Sequence, residues 1–105
     1  EVVFPQHTNH HGTLFGGHAL RMMDTAAFVA ATRHARRTMV TAGVAEVSYT
    51  APVHHGEIVE IATRVAATGR TSVTVEVAMI AEVLLEGTRR RCGSGRFVFV
   101  AVDAR

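Results

Sequence analysis

The stretch that decides the fold is FGGHALRMMDTAAFVAA, residues 15–31. Its apolar residues go nearly all the way round a helix, which predicts a helix that the rest of the domain surrounds. Asp24 is the exception in this pattern. A carboxylate in apolar surroundings loses hydration, so a residue kept there is a candidate catalyst. An ion pair with Arg21, one turn back on the same helix, is the alternative, and the pattern leaves both interpretations open.

Only strand patterns follow this helix. Alternating or continuous apolar runs predict strands over residues 39–49, 57–67, 73–80 and 97–102. Glycine and proline separate them at Pro52, Gly69 and Gly87, and the arginine run 89–91 is assigned to the last turn region. One long helix followed by about four strands predicts an α+β fold, an antiparallel sheet curled around the helix, in a single domain over residues 1–105.

Composition narrows the function classes. All eleven basic residues are arginine, but the formal net charge is only +2, so nucleic acid is not an expected partner. The single Cys92 excludes an internal disulfide, and no run resembles a membrane span or signal peptide, which favours the cytoplasm. In a chain of 105 residues, 48% hydrophobic content suits a domain that buries an interface, so we expect self-association.

Four segments, in this order along the chain, resemble the cytosolic acyl-CoA thioester hydrolases of the hotdog fold. They are PQHTNHHGTLFGG at 5–17, MD at 23–24, PVHHGE at 52–57 and GRTS at 69–72. The resemblance covers nearly the whole chain. It implies a hotdog fold and homodimers that assemble further, as dimers of dimers or trimers of dimers. It also implies hydrolysis of acyl-CoA to a free acid and CoA, without a cofactor.

The resemblance places the catalytic pair on Asn9 and Asp24. It implies that Asp24 acts as general base or nucleophile, while Asn9 orients the thioester or the attacking water. A thioester carbonyl is electrophilic enough for either role of a carboxylate. The alternative for Asn9 is a turn residue that bonds its own backbone.

Gly16 and Gly17 open the predicted helix. Free N–H groups at a helix start can hold a carbonyl oxygen that becomes anionic, and glycine allows close approach. Asp24 lies seven residues after Gly17, roughly 10 Å along the axis. One helix is therefore unlikely to place both the glycine N–H groups and the Asp24 carboxylate at one carbonyl. We expect a site shared by two protomers.

The segment Gly69, Arg70, Thr71 and Ser72 is a turn rich in donors, and the resemblance implies that it borders the CoA site. The arginine run 89–91 is interpreted first as a solvated turn and second as a phosphate contact. The seven histidines suggest a metal, but their spacing matches no ligand pattern, so no metal is expected.

Two other functions stay open on the sequence. The chain could bind acyl-CoA without hydrolysing it, since fold alone does not fix function. It could also be a hotdog dehydratase, which acts on the acyl chain through a histidine paired with an acid. Detection of free thiol separates hydrolysis from both.

Overall fold

The computed structural model describes residues 1–102 and consists of one long helix on one four-stranded sheet. After a short 3-10 turn at Pro5–His7 come α1 (Gly16–Ala35), β1 (Met39–Tyr49), β2 (Ile58–Thr68), β3 (Ser72–Val83) and β4 (Thr88–Ala101). All pairings are antiparallel, and the strand order is β1-β4-β3-β2, which makes β1 and β2 the edges. The predicted α+β fold, one antiparallel sheet with one long helix packed against it, is confirmed.

The core lies between α1 and one face of the sheet. The helix buries small and flexible side chains there, Ala19, Met22, Met23, Ala27 and Ala31. Alternate residues of β3 are buried from Val73 to Ala81, and β4 adds the fully buried rings of Phe97 and Phe99. The small alanines of the helix and these two rings belong to one buried cluster, so α1 and the sheet share a single core.

The helix is not surrounded on all sides, and that expectation is wrong for the single chain. The sheet covers one side of α1, whereas Leu20, Phe28 and Val29 are 36%, 41% and 38% exposed. Leu20 and Phe28 are four residues before and after Asp24, so the three side chains form one row along the helix. We call this row the exposed helix stripe. Apolar periodicity predicts which residues avoid water, but not which chain covers them.

The assignment of Arg89, Arg90 and Arg91 to a turn is also wrong. The turn lies earlier, around Gly87 with its positive φ of 73°, and β4 already begins at Thr88. Charged residues can occupy this strand because acidic partners stand beside them. Arg89 pairs with Glu82 across the β3–β4 ladder and with Glu60 on β2.

Arg90 anchors the connection between β1 and β2. Its guanidinium donates to both carboxylate oxygens of Glu57 at 2.9 and 2.8 Å, and also to the Pro52 carbonyl at 2.7 Å. Glu57 is only 8% exposed and accepts a third bond from the His54 N–H. The Arg90 hydrogen bond lowers the pKa of Glu57 and outweighs the opposing effect of burial. This ion pair fixes the segment 52–57 against β4.

Within residues 1–102, no helix combines the length and apolar character that a membrane crossing needs.

Candidate functional site

Asn9 sits in a tight turn that precedes the helix. Its Oδ1 accepts bonds from the His11 N–H, the Thr13 N–H and the Thr13 hydroxyl, at 2.9, 3.3 and 3.1 Å. Gly12 closes the turn with a φ of 76°. The turn interpretation of Asn9 is therefore confirmed, yet the side-chain nitrogen takes part in none of these bonds. Two backbone donors fix which end of the amide faces the turn, so Nδ2 carries its two N–H groups away from it.

The helix begins at Gly16, as predicted. The first helical bond runs from the Ala19 N–H to the Phe15 carbonyl, so the N–H groups of Gly16, Gly17 and His18 have no acceptor within the helix. Phe15 lies over Gly17, where an added Cβ would stand 2.6 Å from the ring. A side chain at position 17 would collide with the Phe15 ring, whereas one at position 16 would make only ordinary contact with Tyr49.

Tyr49 is a site residue that the sequence reasoning missed. Its hydroxyl donates to the Gly16 carbonyl at 2.8 Å, and burial raises its pKa. The Gly16 carbonyl and the Gly17 N–H belong to one peptide group, so this bond orients and polarises the Gly17 donor. A tyrosine at the end of a strand pattern carries no local signal for such a contact, which spans 33 residues.

Asp24 is half-buried in the single chain, rather than enclosed. Its Oδ1 accepts a hydrogen bond from the Thr41 hydroxyl of β1 at 2.9 Å. None of the ion pairs among residues 1–102 joins Arg21 to Asp24, so the ion-pair alternative is wrong there. The carboxylate thus stands in the middle of the exposed helix stripe, between two apolar side chains.

An apolar cleft of about 330 Å³ adjoins the start of the helix. Its walls include Leu14, Ala19, Tyr49, Val53, Met79 and Cys92. Gly16 and Thr13 also line it, and the Thr13 hydroxyl is bonded to Asn9. The Asn9 turn, through Thr13, and the helix start, through Gly16, therefore border the same cleft.

The turn at Gly69, Arg70, Thr71 and Ser72 lies at the other end of the helix. It joins β2 to β3, with the Gly69 N–H donating to the Ser72 carbonyl at 2.9 Å. With His34, Ala35 and Arg37 it borders a cleft of about 210 Å³. Ala35 is nineteen residues after Gly16, which is about 28 Å along the helix. Within one chain, this turn is thus far from the glycine start.

One cluster of potential metal-binding side chains occurs within the described residues. Donor atoms of Glu1, His7 and His18 lie within 4.8 Å of one another. However, His7 Nδ1 accepts the Phe4 N–H, and His18 bonds Glu1 at 3.0 Å. The two imidazole planes are only 6° from parallel, so their in-plane lone pairs do not converge on one point. The cluster is arranged as a hydrogen-bonded stack.

Comparison with known proteins gives a consistent result. The sequence model of the thioesterase superfamily matches residues 11–88. An uncharacterised acyl-CoA thioester hydrolase of Bacillus subtilis is 37% identical over 102 residues, which cover 97% of this chain. The chain spans 59% of that relative's length.

Two solved structures are similar throughout. The acyl-CoA hydrolase of Staphylococcus aureus, solved with butyryl-CoA and CoA, matches with a TM-score of 0.93 and 32% identity, covering 99% of this chain and 63% of that one. The hexameric thioesterase of Yersinia pestis matches with a TM-score of 0.92 and 29% identity, covering 99% and 84%. The Staphylococcus aureus protein was also solved as two alanine variants, one of an asparagine and one of an aspartate fifteen positions later. Asn9 and Asp24 have the same separation.

Proposed function

The chain belongs to the thioesterase superfamily, and we propose that it hydrolyses acyl-CoA to a free carboxylic acid and CoA. One observation carries the proposal. Thr13 of the Asn9 turn and Gly16 of the helix start line the same largely apolar cleft, so backbone donors and an apolar surface lie next to each other, as a thioester substrate requires. The names of the similar proteins support the same substrate class.

The site needs a second protomer. Asp24 is about 10 Å along the helix from Gly17, too far for both to reach one carbonyl. Two chains can pack with their helices antiparallel and their exposed helix stripes in contact. This arrangement would bring Asp24 of the partner subunit to Gly17. The same contact would cover Leu20 and Phe28 and place the carboxylate in apolar surroundings.

The two edge strands of the sheet also indicate where the dimer forms, because β1 is apolar and β2 is charged. On β1, Val40, Val44 and Tyr49 are 45%, 45% and 49% exposed. The β2 edge instead carries Glu60 and Arg64, which are engaged with Arg89 and Glu76. An apolar edge strand invites pairing, whereas charges protect an edge. The homodimer thus forms through β1 and the exposed helix stripe, and dimers assemble further, as the hexameric Yersinia pestis structure suggests.

The chemistry follows from these positions. The thioester carbonyl oxygen accepts hydrogen bonds from the glycine N–H groups, and Asn9 Nδ2 donates to the thioester or the water. Asp24 takes a proton from water, whose oxygen attacks the carbonyl carbon. The resulting oxyanion is held by the same N–H groups, and its collapse expels the CoA thiolate, which then takes the proton from Asp24. In the alternative course Asp24 attacks directly, and water cleaves the anhydride that forms.

CoA lies toward the turn at Gly69–Ser72. This turn lies beside Ala35, at the C-terminal end of α1 in the same protomer. Ala35 is eleven residues after Asp24, which is about 16 Å along the helix axis. The extended pantetheine arm of CoA bridges such a distance. Arg70 then reaches the phosphates of CoA, while Asp24 of the same protomer reaches the thioester.

Thiol release from acyl-CoA tests the proposal. Purified protein should release CoA even with a chelator present, since no step uses a metal. Separately, a single buried and unpaired Cys92 is compatible with the reducing cytoplasm that we propose for this protein. Absence of thiol release with tight acyl-CoA binding would instead identify a binding module. An unsaturated thioester product would identify a dehydratase.

A further inference from the structure

The imidazole rings of His7 and His18 form a stack beside the candidate site. Their centroids are 4.1 Å apart, and their planes are 6° from parallel. His7 ends the 3-10 turn, two residues before Asn9, whereas His18 lies in the first turn of α1, directly after Gly17. The stack therefore joins the two segments that carry the donors of the proposed mechanism.

Each ring of the stack has a second contact that holds it in place. His7 Nδ1 accepts the Phe4 N–H at 3.2 Å, so this nitrogen carries no proton and the imidazole is uncharged. His18 Nε2 lies 3.0 Å from the Glu1 carboxylate, and the His18 side chain is only 20% exposed. With His7 uncharged, the stack avoids the repulsion of two adjacent cations. The two rings are thus part of a connected set of contacts that runs from Glu1 to Phe4.

The stack meets the Asn9 turn at its base. The base is closed by the Phe15 N–H, which donates to the His7 carbonyl at 2.8 Å. The limb after Asn9 is fixed by the segment 52–57, to which the Leu14 N–H donates. The limb before Asn9 is tied to α1 by the ring of His7 in the stack. The stack therefore helps to set the angle between the Asn9 turn and the helix start.

We propose that His7 and His18 are positioning residues that set the Asn9 side chain against the glycine N–H groups at the helix start. Reaction at one carbonyl is sensitive to the mutual placement of such donors, and a misplacement of about 1 Å can cost on the order of 100-fold in rate. The inference rests on the proposed function, because that function assigns Asn9 Nδ2 and the Gly17 N–H to the same thioester. It requires no contact between the substrate and either imidazole.

Steady-state hydrolysis of one acyl-CoA tests the role of the rings. His18→Ala removes the stack and the Glu1 contact but keeps the backbone N–H of position 18. We expect kcat to fall roughly two- to tenfold, the factor that an aromatic pair contributes, with KM nearly unchanged. His18→Phe keeps a ring for the stack and should restore most of kcat. His55→Ala is the matched control and should change neither constant, since this exposed imidazole forms no ring contact within residues 1–102.

A measurement without hydrolysis keeps the two proposals separable. The N–H groups of His11 and Thr13 bond Asn9 Oδ1, so their hydrogen exchange, followed by NMR, reports on the turn itself, with the core amides of β3 as the reference for global stability. Exchange that is roughly two- to tenfold faster in His18→Ala, but not in His18→Phe or His55→Ala, supports the positioning role. This holds even if the wild type hydrolyses no acyl-CoA, in which case the proposed function alone fails. Unchanged exchange in His18→Ala overturns the positioning role, as does, in an active enzyme, a kcat that His18→Ala leaves unchanged or that His18→Phe does not restore.

Discussion

Replacing Arg90 by methionine should destabilise the fold far more than the same change at Arg89, its neighbour. Arg90→Met leaves the Glu57 carboxylate, which is 8% exposed, without the two guanidinium bonds that compensate its burial. Breaking a fully buried pair costs about 3–5 kcal/mol. Because the Arg90 side chain is 35% exposed, water replaces part of the loss, and we expect about 2–3 kcal/mol.

Arg89 provides the comparison. Its partners Glu60 and Glu82 are 53% and 27% exposed, so these pairs are screened, and Arg89→Met should cost about 0–1 kcal/mol. The assay is urea denaturation at neutral pH with the free energy of unfolding extrapolated to water. The double variant Glu57→Leu, Arg90→Met removes both charges and should recover much of the loss. Equal costs for Arg89→Met and Arg90→Met would refute the reasoning.

The same pair has a pH signature. Since Arg90 holds the pKa of Glu57 below its usual value of about 4.5, the stabilisation is complete above that usual value. It is lost as the pH falls through the lower, folded-state pKa. The wild type should therefore lose more stability than the double variant between neutral and acidic pH.

Three further substitutions and one control, Arg21→Met, test the site. Asp24→Asn should keep the fold and lose on the order of 10²–10⁴ in kcat, whereas Arg21→Met should leave kcat nearly unchanged because Arg21 forms no ion pair with Asp24 within the described residues. Arg70→Ala should raise KM for acyl-CoA with little change in kcat. The rise in KM should be much smaller for a short thioester that lacks the nucleotide. An equal rise in KM for both substrates would contradict the role of Arg70 at the phosphates. Tyr49→Phe should lower kcat several-fold at unchanged KM, because the Gly17 N–H loses its orientation while the ring still fills its place; a change in KM alone would assign Tyr49 to binding.

The sequence predicted the architecture because its signals are local. The helix start at the two glycines and the full length of β1 were predicted from residue patterns alone. The early part of β4 was not, because its arginines break the apolar alternation. Arg89 is held in the strand by Glu60 of β2 and Glu82 of β3. Arg90 is held by Glu57, which precedes β2. The apolar pattern of β4 itself does not predict these pairs.

In the candidate site, too, the residue patterns predict local structure but not the contacts between elements. On the sequence, a catalytic role and a turn role of Asn9 are alternatives. The structure allows both, because the side-chain oxygen accepts the hydrogen bonds of the turn and leaves the nitrogen available. Thr41 contacts Asp24, and Tyr49 contacts Gly16. Both contacts join β1 to α1, which only the tertiary fold brings together. No spacing within one element predicts them.

The claim that Asn9 of one protomer and Asp24 of the other form one site has a direct test. Two inactive variants, Asn9→Ala and Asp24→Asn, are mixed after dissociation, and heterodimers are confirmed by mass spectrometry. Each heterodimer then holds one intact site and one with both changes, so activity should return to roughly a quarter of wild type for random pairing. No recovery in a sample with proven heterodimers would place both residues in one protomer and contradict the shared site.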